Sequence, residues 1–75
     1  MIAVIEREHQ VVWGIGRTAA DALNDAERVM KSKPKFNVGK LELATLSPDA
    51  DLGADGETLW QWVQGSAPIQ DGLFA

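Results

Sequence analysis

Between Thr18 and Ser32 small apolar residues recur at the spacing of one helix face, and this run constrains the chain more than any other. Ala19, Ala22, Leu23, Ala26, Val29 and Met30 form a stripe, while Asp21, Asn24, Asp25, Arg28 and Lys31 fall on the opposite side. Thr18 can cap the helix through its hydroxyl, and Asp21 supplies the acid of a capping box at the positive end of the helix dipole. Glu27 precedes Lys31 by one helical turn, the better orientation for an ion pair. Pro34, with Lys31 and Lys33, marks the end. The spacing predicts one main helix over residues 19–32, with Ala22, Leu23, Ala26 and Met30 buried. A stripe rich in alanine lets such a helix lie close against a sheet.

The flanking segments read as strands. Ile2 to Arg7 and Val11 to Ile15 are rich in β-branched residues, and only Glu8, His9 and Gln10 separate them, which favours an antiparallel hairpin. In the second segment simple alternation puts Val11, Trp13 and Ile15 on one face and Val12, Gly14 and Gly16 on the other. Beyond Pro34, Phe36 and Val38 alternate in one parity and Leu41 and Leu43 in the other, with Gly39 placed where a bulge would switch faces. Ser47, Pro48 and Asp49 resemble a helix start that Gly53 and Gly56 soon interrupt. The aromatic and β-branched content of Thr58 to Val63 favours a strand over a short helix pairing Leu59 with Val63. Turn signals at Pro68 and Asp71-Gly72 precede Leu73 and Phe74, which are expected to dock on the sheet. The expected fold is α+β: a small two-layer sandwich in one domain over residues 1–75, an antiparallel sheet of order β-β-α-β-β with one main helix. One sheet face, or an edge strand, is expected to stay available, the edge offering a route to a homodimer.

A chain of 75 residues buries only roughly 60 to 65% of its unfolded surface, which leaves little room for a deep substrate pocket. It has no cysteine, and so no disulfide, thiolate nucleophile or thiolate zinc ligand, as suits a reducing cytoplasm. The apolar start, Met1 to Ile5, is broken at Glu6 and is too short for a signal h-region or a membrane span. A cytoplasmic protein with no membrane contact is expected.

Charge is unevenly spread. Arg7, Arg17, Arg28, Lys31, Lys33, Lys35 and Lys40 all lie before position 41, where seven bases meet five acids for a net of +2. Residues 41–75 carry Glu42, Asp49, Asp51, Asp55, Glu57 and Asp71 without a base, a net of −6. Such a half repels phosphate backbones and attracts basic surfaces, which makes nucleic acid a poor partner and a basic protein a good one. Solubility alone also explains acidic loops.

Motifs for chemistry are sparse. Gly14-Ile15-Gly16-Arg17-Thr18-Ala19 fits G-x-G-x-x-A between a strand and a helix, and so resembles the dinucleotide fingerprint. The nearest acid on a following strand is Glu42, 28 residues past Gly14, where that fingerprint wants one about 20 on. The simpler reading is a tight turn into the helix. The acidic run from Asp49 to Glu57 fails the calcium-loop pattern, since counting from Asp51 places Gly53 third and Trp62 twelfth. His9 is the single histidine, which argues against a metal cluster or a triad and suits a surface turn. Arg28, Lys31, Lys33, Lys35 and Lys40 read first as cations at a helix C-terminus. Trp60 and Trp62 are core residues by default, though aromatic residues beside acids are also what binding hot spots use. No catalytic, cofactor or metal residue is assigned.

The stretch from Ala3-Val4-Ile5-Glu6 through Gly16-Arg17-Thr18 and Ala22-Leu23-Asn24-Asp25-Ala26 resembles the N-terminal half of HicB-type antitoxins: a strand with an acidic end, a G-x-T turn, and a helix in which alanine recurs. The likeness covers about a third of the chain, without that family's longer middle strand before Gly16 or its C-terminal DNA-binding elements. Size and charge also resemble small phage inhibitors of the anti-CRISPR type. The expected function is a non-enzymatic protein-binding module, an inhibitor or antitoxin-like regulator, that meets a basic partner through Asp49, Asp51, Asp55, Glu57, Trp60 and Trp62. The alternative is a nucleotide- or nucleic-acid-binding protein using the Gly14/Gly16 turn and the Lys31 to Lys40 cluster.

Overall fold

In a computed structural model, which describes residues 1–35 and 37–68 (66–68 by backbone alone), the opening segments form β1 (Ile2–Glu6) and β2 (Val11–Gly16). They pair antiparallel through a turn in which the Gln10 amide donates to the Arg7 carbonyl at 3.2 Å and Gln10 takes φ 52. β3 (Leu41–Leu46) pairs antiparallel with β1, and β4 (Val63–Pro68) with β3, giving the sheet order β2-β1-β3-β4. The antiparallel sheet with one main helix is therefore as expected. Phe36 and the tail with Leu73 and Phe74 lie outside the described residues.

α1 (Ala19–Lys31) begins at Thr18, whose hydroxyl accepts from the Asp21 amide at 3.1 Å, and ends at Ser32. The expected Glu27–Lys31 pair forms at 2.9 Å. α1 lies over β2 first and β1 second, drawn in by glycine. A Cβ at Gly14 would strike the Ala22 carbonyl and the Ala26 amide, and one at Gly16 would lie 2.5 Å from the Ala22 nitrogen. The two glycines serve close helix-to-strand packing.

The expected alternation in β2 breaks at Trp13. Val4 faces Gly14 and Ile5 faces Val12, so Trp13 is the extra residue of a bulge. Val11, Trp13, Gly14 and Gly16 consequently face α1, whereas Val12 and Ile15 face away. No face switch falls at Gly39, because β3 starts only at Leu41 and keeps regular register with β1.

The helix-side core is Val4, Trp13, Ala22 and Ala26. Leu23 and Met30, expected in it, are only half-buried, because α1 sits over β2 and leaves β3 short of cover. Between α1 and β3 an apolar groove of about 650 Å³ opens, lined by Leu23, Ala26, Met30 and Leu41 among others. The opposite face, expected to stay available, is covered instead. Ala3, Ile5, Val12, Ala44, Leu46 and Leu59 are buried there, with Ala50, Ala54, Trp60, Trp62 and Val63 packed on them. Those residues belong to the connection from β3 to β4.

That connection also corrects the strand expected over 58–63. It holds α2 (Gly56–Leu59) and a 3₁₀ turn (Trp60–Trp62), and strand structure resumes only at Val63. Asp55 caps α2, its carboxylate accepting from the Thr58 amide at 2.8 Å, so Gly56 opens a helix instead of interrupting one. α2 leans on β2, and a Cβ at Gly56 would strike the Val12 carbonyl. At the other edge of the sheet, β4 carries Gly65 at φ 59 as the extra residue of a second bulge and ends at Pro68. A bulge and a proline both discourage strand addition at an edge.

Candidate functional site

The expected binding residues fall on the connection between β3 and β4, where a series of local hydrogen bonds shapes the backbone. Ser47 Oγ accepts from the Asp49 amide at 3.2 Å, and the Ser47 carbonyl from the Ala50 amide at 3.0 Å. Asp51 Oδ1 accepts from the Gly53 amide at 3.0 Å, a side-chain turn of the kind aspartate favours. The Ser47 amide donates to the Trp62 carbonyl at 2.9 Å, tying the two ends of the segment together. Asp49, Asp51, Asp55 and Glu57 are all exposed, and Leu52 among them is 45% exposed. The Asp55 carboxyl is held below its ordinary range, first by the Thr58 amide.

Trp60 and Trp62 are half-buried, packed on the core of this sheet face. They stand in a 3₁₀ turn and not in the strand that the composition of Thr58 to Val63 favours. The Arg7 guanidinium lies 5.9 Å from the Trp60 ring centroid and pairs with Glu42 through Nε at 2.9 Å. The acids thus stand on turns anchored by Leu59, Trp60 and Trp62. Of the basic cluster, Lys31 is paired with Glu27, and Lys33, Lys35 and Lys40 are exposed.

A second constellation was not expected. Glu6 is fully buried, with 0% exposure. Its Oε1 accepts from Trp13 Nε1 at 2.9 Å, and its Oε2 accepts from His9 Nδ1 at 2.7 Å and from the Gly39 amide in a short contact. Burial alone would raise its pKa, but the bonds from Trp13, Gly39 and His9 together outweigh that and hold it below the ordinary carboxylate range. The signal was present: Glu6 has the parity of Ile2 and Val4, the helix-facing side of β1. What hid it was the identity of its partners, one of them 33 residues away. His9, expected at the surface, is exposed and yet bonded to this buried carboxylate.

Asp25, like Glu42, is partly buried. Its Oδ2 accepts from the Ile15 amide at 3.0 Å and its Oδ1 from Arg28 at 2.7 Å, pinning α1 to β2.

No family model, curated protein or solved structure matches this chain. Among the described residues no helix is long and apolar enough to cross a membrane.

Proposed function

We propose that the chain is a non-enzymatic protein-binding module, acting in the cytoplasm as an inhibitor or antitoxin-like regulator of a partner with a basic surface. The observation that carries this reading is the exposure of Leu52 among Asp49, Asp51, Asp55 and Glu57 on a segment anchored by Leu59. Carboxylates of one sign steer a basic partner at long range, and an exposed apolar side chain on the same segment gives the encounter area to bury. Trp60 and Trp62 make the platform stiff, so little ordering entropy is lost on binding.

The test is capture of a partner from host lysate, followed by binding of the purified partner to three forms of the chain. Changing Asp51, Asp55 and Glu57 together to Asn, Asn and Gln leaves the α2 cap intact, because asparagine caps as well as aspartate. That form is expected to bind at least about tenfold more weakly, and association of the parent chain to slow as salt rises from about 0.05 to 0.5 M. Binding that survives the triple substitution but is lost on replacing Lys31, Lys33 and Lys35 would move the interface to the basic cluster and refute the reading.

A further inference from the structure

We infer that the turn between β1 and β2 is a binding site for one divalent transition-metal ion of the zinc class, ligated by Glu6, Glu8 and His9. The inference stands apart from the acidic segment and does not depend on what that segment binds.

The geometry begins with charge. The carboxylates of Glu6 and Glu8 converge on Gly39: a Cβ there would lie 2.7 Å from Glu6 Oε2 and 2.5 Å from Glu8 Oε2. Two carboxylates brought to one strand end, beside an imidazole, make an anionic place that a cation can share. His9 is the third member of the group, its Nδ1 2.7 Å from Glu6 Oε2. One ligand atom from each of the three lies within 4.8 Å of the others. Ligands on one zinc-class ion sit roughly 2.0 to 2.2 Å from it and therefore no more than about 4.4 Å apart. Seating an ion requires the most distant ligand atoms to close by a few tenths of an ångström and the 2.7 Å His9–Glu6 contact to open by roughly half an ångström, both within the reach of the exposed Glu8 and His9 side chains.

The donor set selects the ion. One imidazole nitrogen with two carboxylate oxygens suits zinc and its first-row neighbours, whereas magnesium and calcium take oxygen alone. The supporting contacts are those that ordinarily orient metal ligands: Trp13 Nε1 holds the far oxygen of Glu6 and the Gly39 amide holds the near one. Glycine at position 39 is what lets both carboxylates approach. On binding, His9 Nδ1 gives its lone pair to the ion and the neutral ring keeps its one proton on Nε2; a ring protonated at both nitrogens gives its Nδ1 proton to solvent. Among the described residues three ligands come together here, and two of them are exposed. The remaining coordination positions therefore open outward, to water or to a donor on another molecule.

The experiment uses the untagged full chain, freed of metal by chelation and titrated with zinc chloride by calorimetry. One equivalent is expected to bind, and at hundredfold excess over the dissociation constant the melting midpoint should rise by about 10 °C or more. His9→Gln and Glu8→Gln should each weaken binding at least about tenfold with an unchanged circular dichroism spectrum, while Asp51→Asn should not. Manganese added to the isotope-labelled parent chain gives a readout that needs no variant. Its line broadening should centre on residues 6–9 and Gly39. Absence of saturable binding at millimolar zinc, broadening centred on residues 49–57, or full affinity in folded His9→Gln would each overturn the assignment and leave the Glu6–His9 contact as a hydrogen bond alone.

Discussion

On one face of the sheet a regular helix of 13 residues leaves Leu41 and Leu43 half-buried; on the other, a segment with only a four-residue helix and a 3₁₀ turn buries Ala44 and Leu46 to 5% and 4% exposure. The reason lies in side-chain size. The stripe of α1 is largely alanine, and it meets glycine on β2, so the helix sits close but covers a narrow footprint. Leu59, Trp60 and Trp62 project much farther from an irregular backbone and reach across to β3. Regularity of an element and completeness of its cover are therefore separate properties, and here they run opposite. The open side is apolar, at the groove between α1 and β3, while the sealed side presents the acids.

The comparison breaks most sharply at Gly14. Gly14→Val would push a branched side chain into the Ala22 and Ala26 backbone, and is expected to cost about 4 kcal/mol or more, enough to unfold much of so small a domain in a urea titration. If the variant melts like the parent, the close approach of α1 is not what holds that face. A matched pair of leucines tests the cover itself. Leu59→Ala, at 5% exposure, should lose about 3 kcal/mol, and half-buried Leu23→Ala only about 1 kcal/mol. Equal losses would mean that the groove beside Leu23 is filled in solution.

The pin between α1 and β2 carries a pH dependence. Burial raises the pKa of Asp25, but the Arg28 and Ile15 hydrogen bonds outweigh it and leave the folded value below the ordinary one. As pH falls the unfolded chain takes up this proton first, so the contribution is full above the ordinary aspartate pKa of about 3.9 and is lost as pH drops through the folded value. Asp25→Asn should therefore lie about 1 kcal/mol below the parent at pH 6, with the gap closing in melts near pH 3. A gap that persists in acid would assign the effect to the amide's geometry and not to charge. The smallest effect is expected on the sealed face: Asp49→Asn and Glu57→Gln, both exposed, should change stability by no more than about 0.5 kcal/mol. A larger loss would show that these acids serve the fold, which would weaken their assignment to binding.

Much of the fold was legible because its signals are local. The α1 stripe, the Thr18 cap, the Glu27–Lys31 pair and the short β1–β2 connection all lie within a few residues of their partners. Misreadings arose where a local preference was overruled. Thr58 to Val63 has strand composition, yet Asp55 caps a helix there and Leu59 is buried in the core from that helix. The acids of the candidate interface could be named from charge alone, but the backbone that carries them is shaped by the turns at Ser47 and Asp51 and the cap at Asp55.

The sequence by itself determined the element order as far as β3 and the side of α1 that faces inward, because periodicity and capping act over one or two turns of chain. Only the tertiary structure decided that Trp13 bulges, that α1 covers β2 at the expense of β3, and that Glu6 is buried against His9, Trp13 and Gly39. Each of these depends on a contact between elements. A bulge is set by which strand residue must meet the neighbour, a helix position by how closely two backbones can approach, and a buried carboxylate by donors that arrive from elsewhere in the chain.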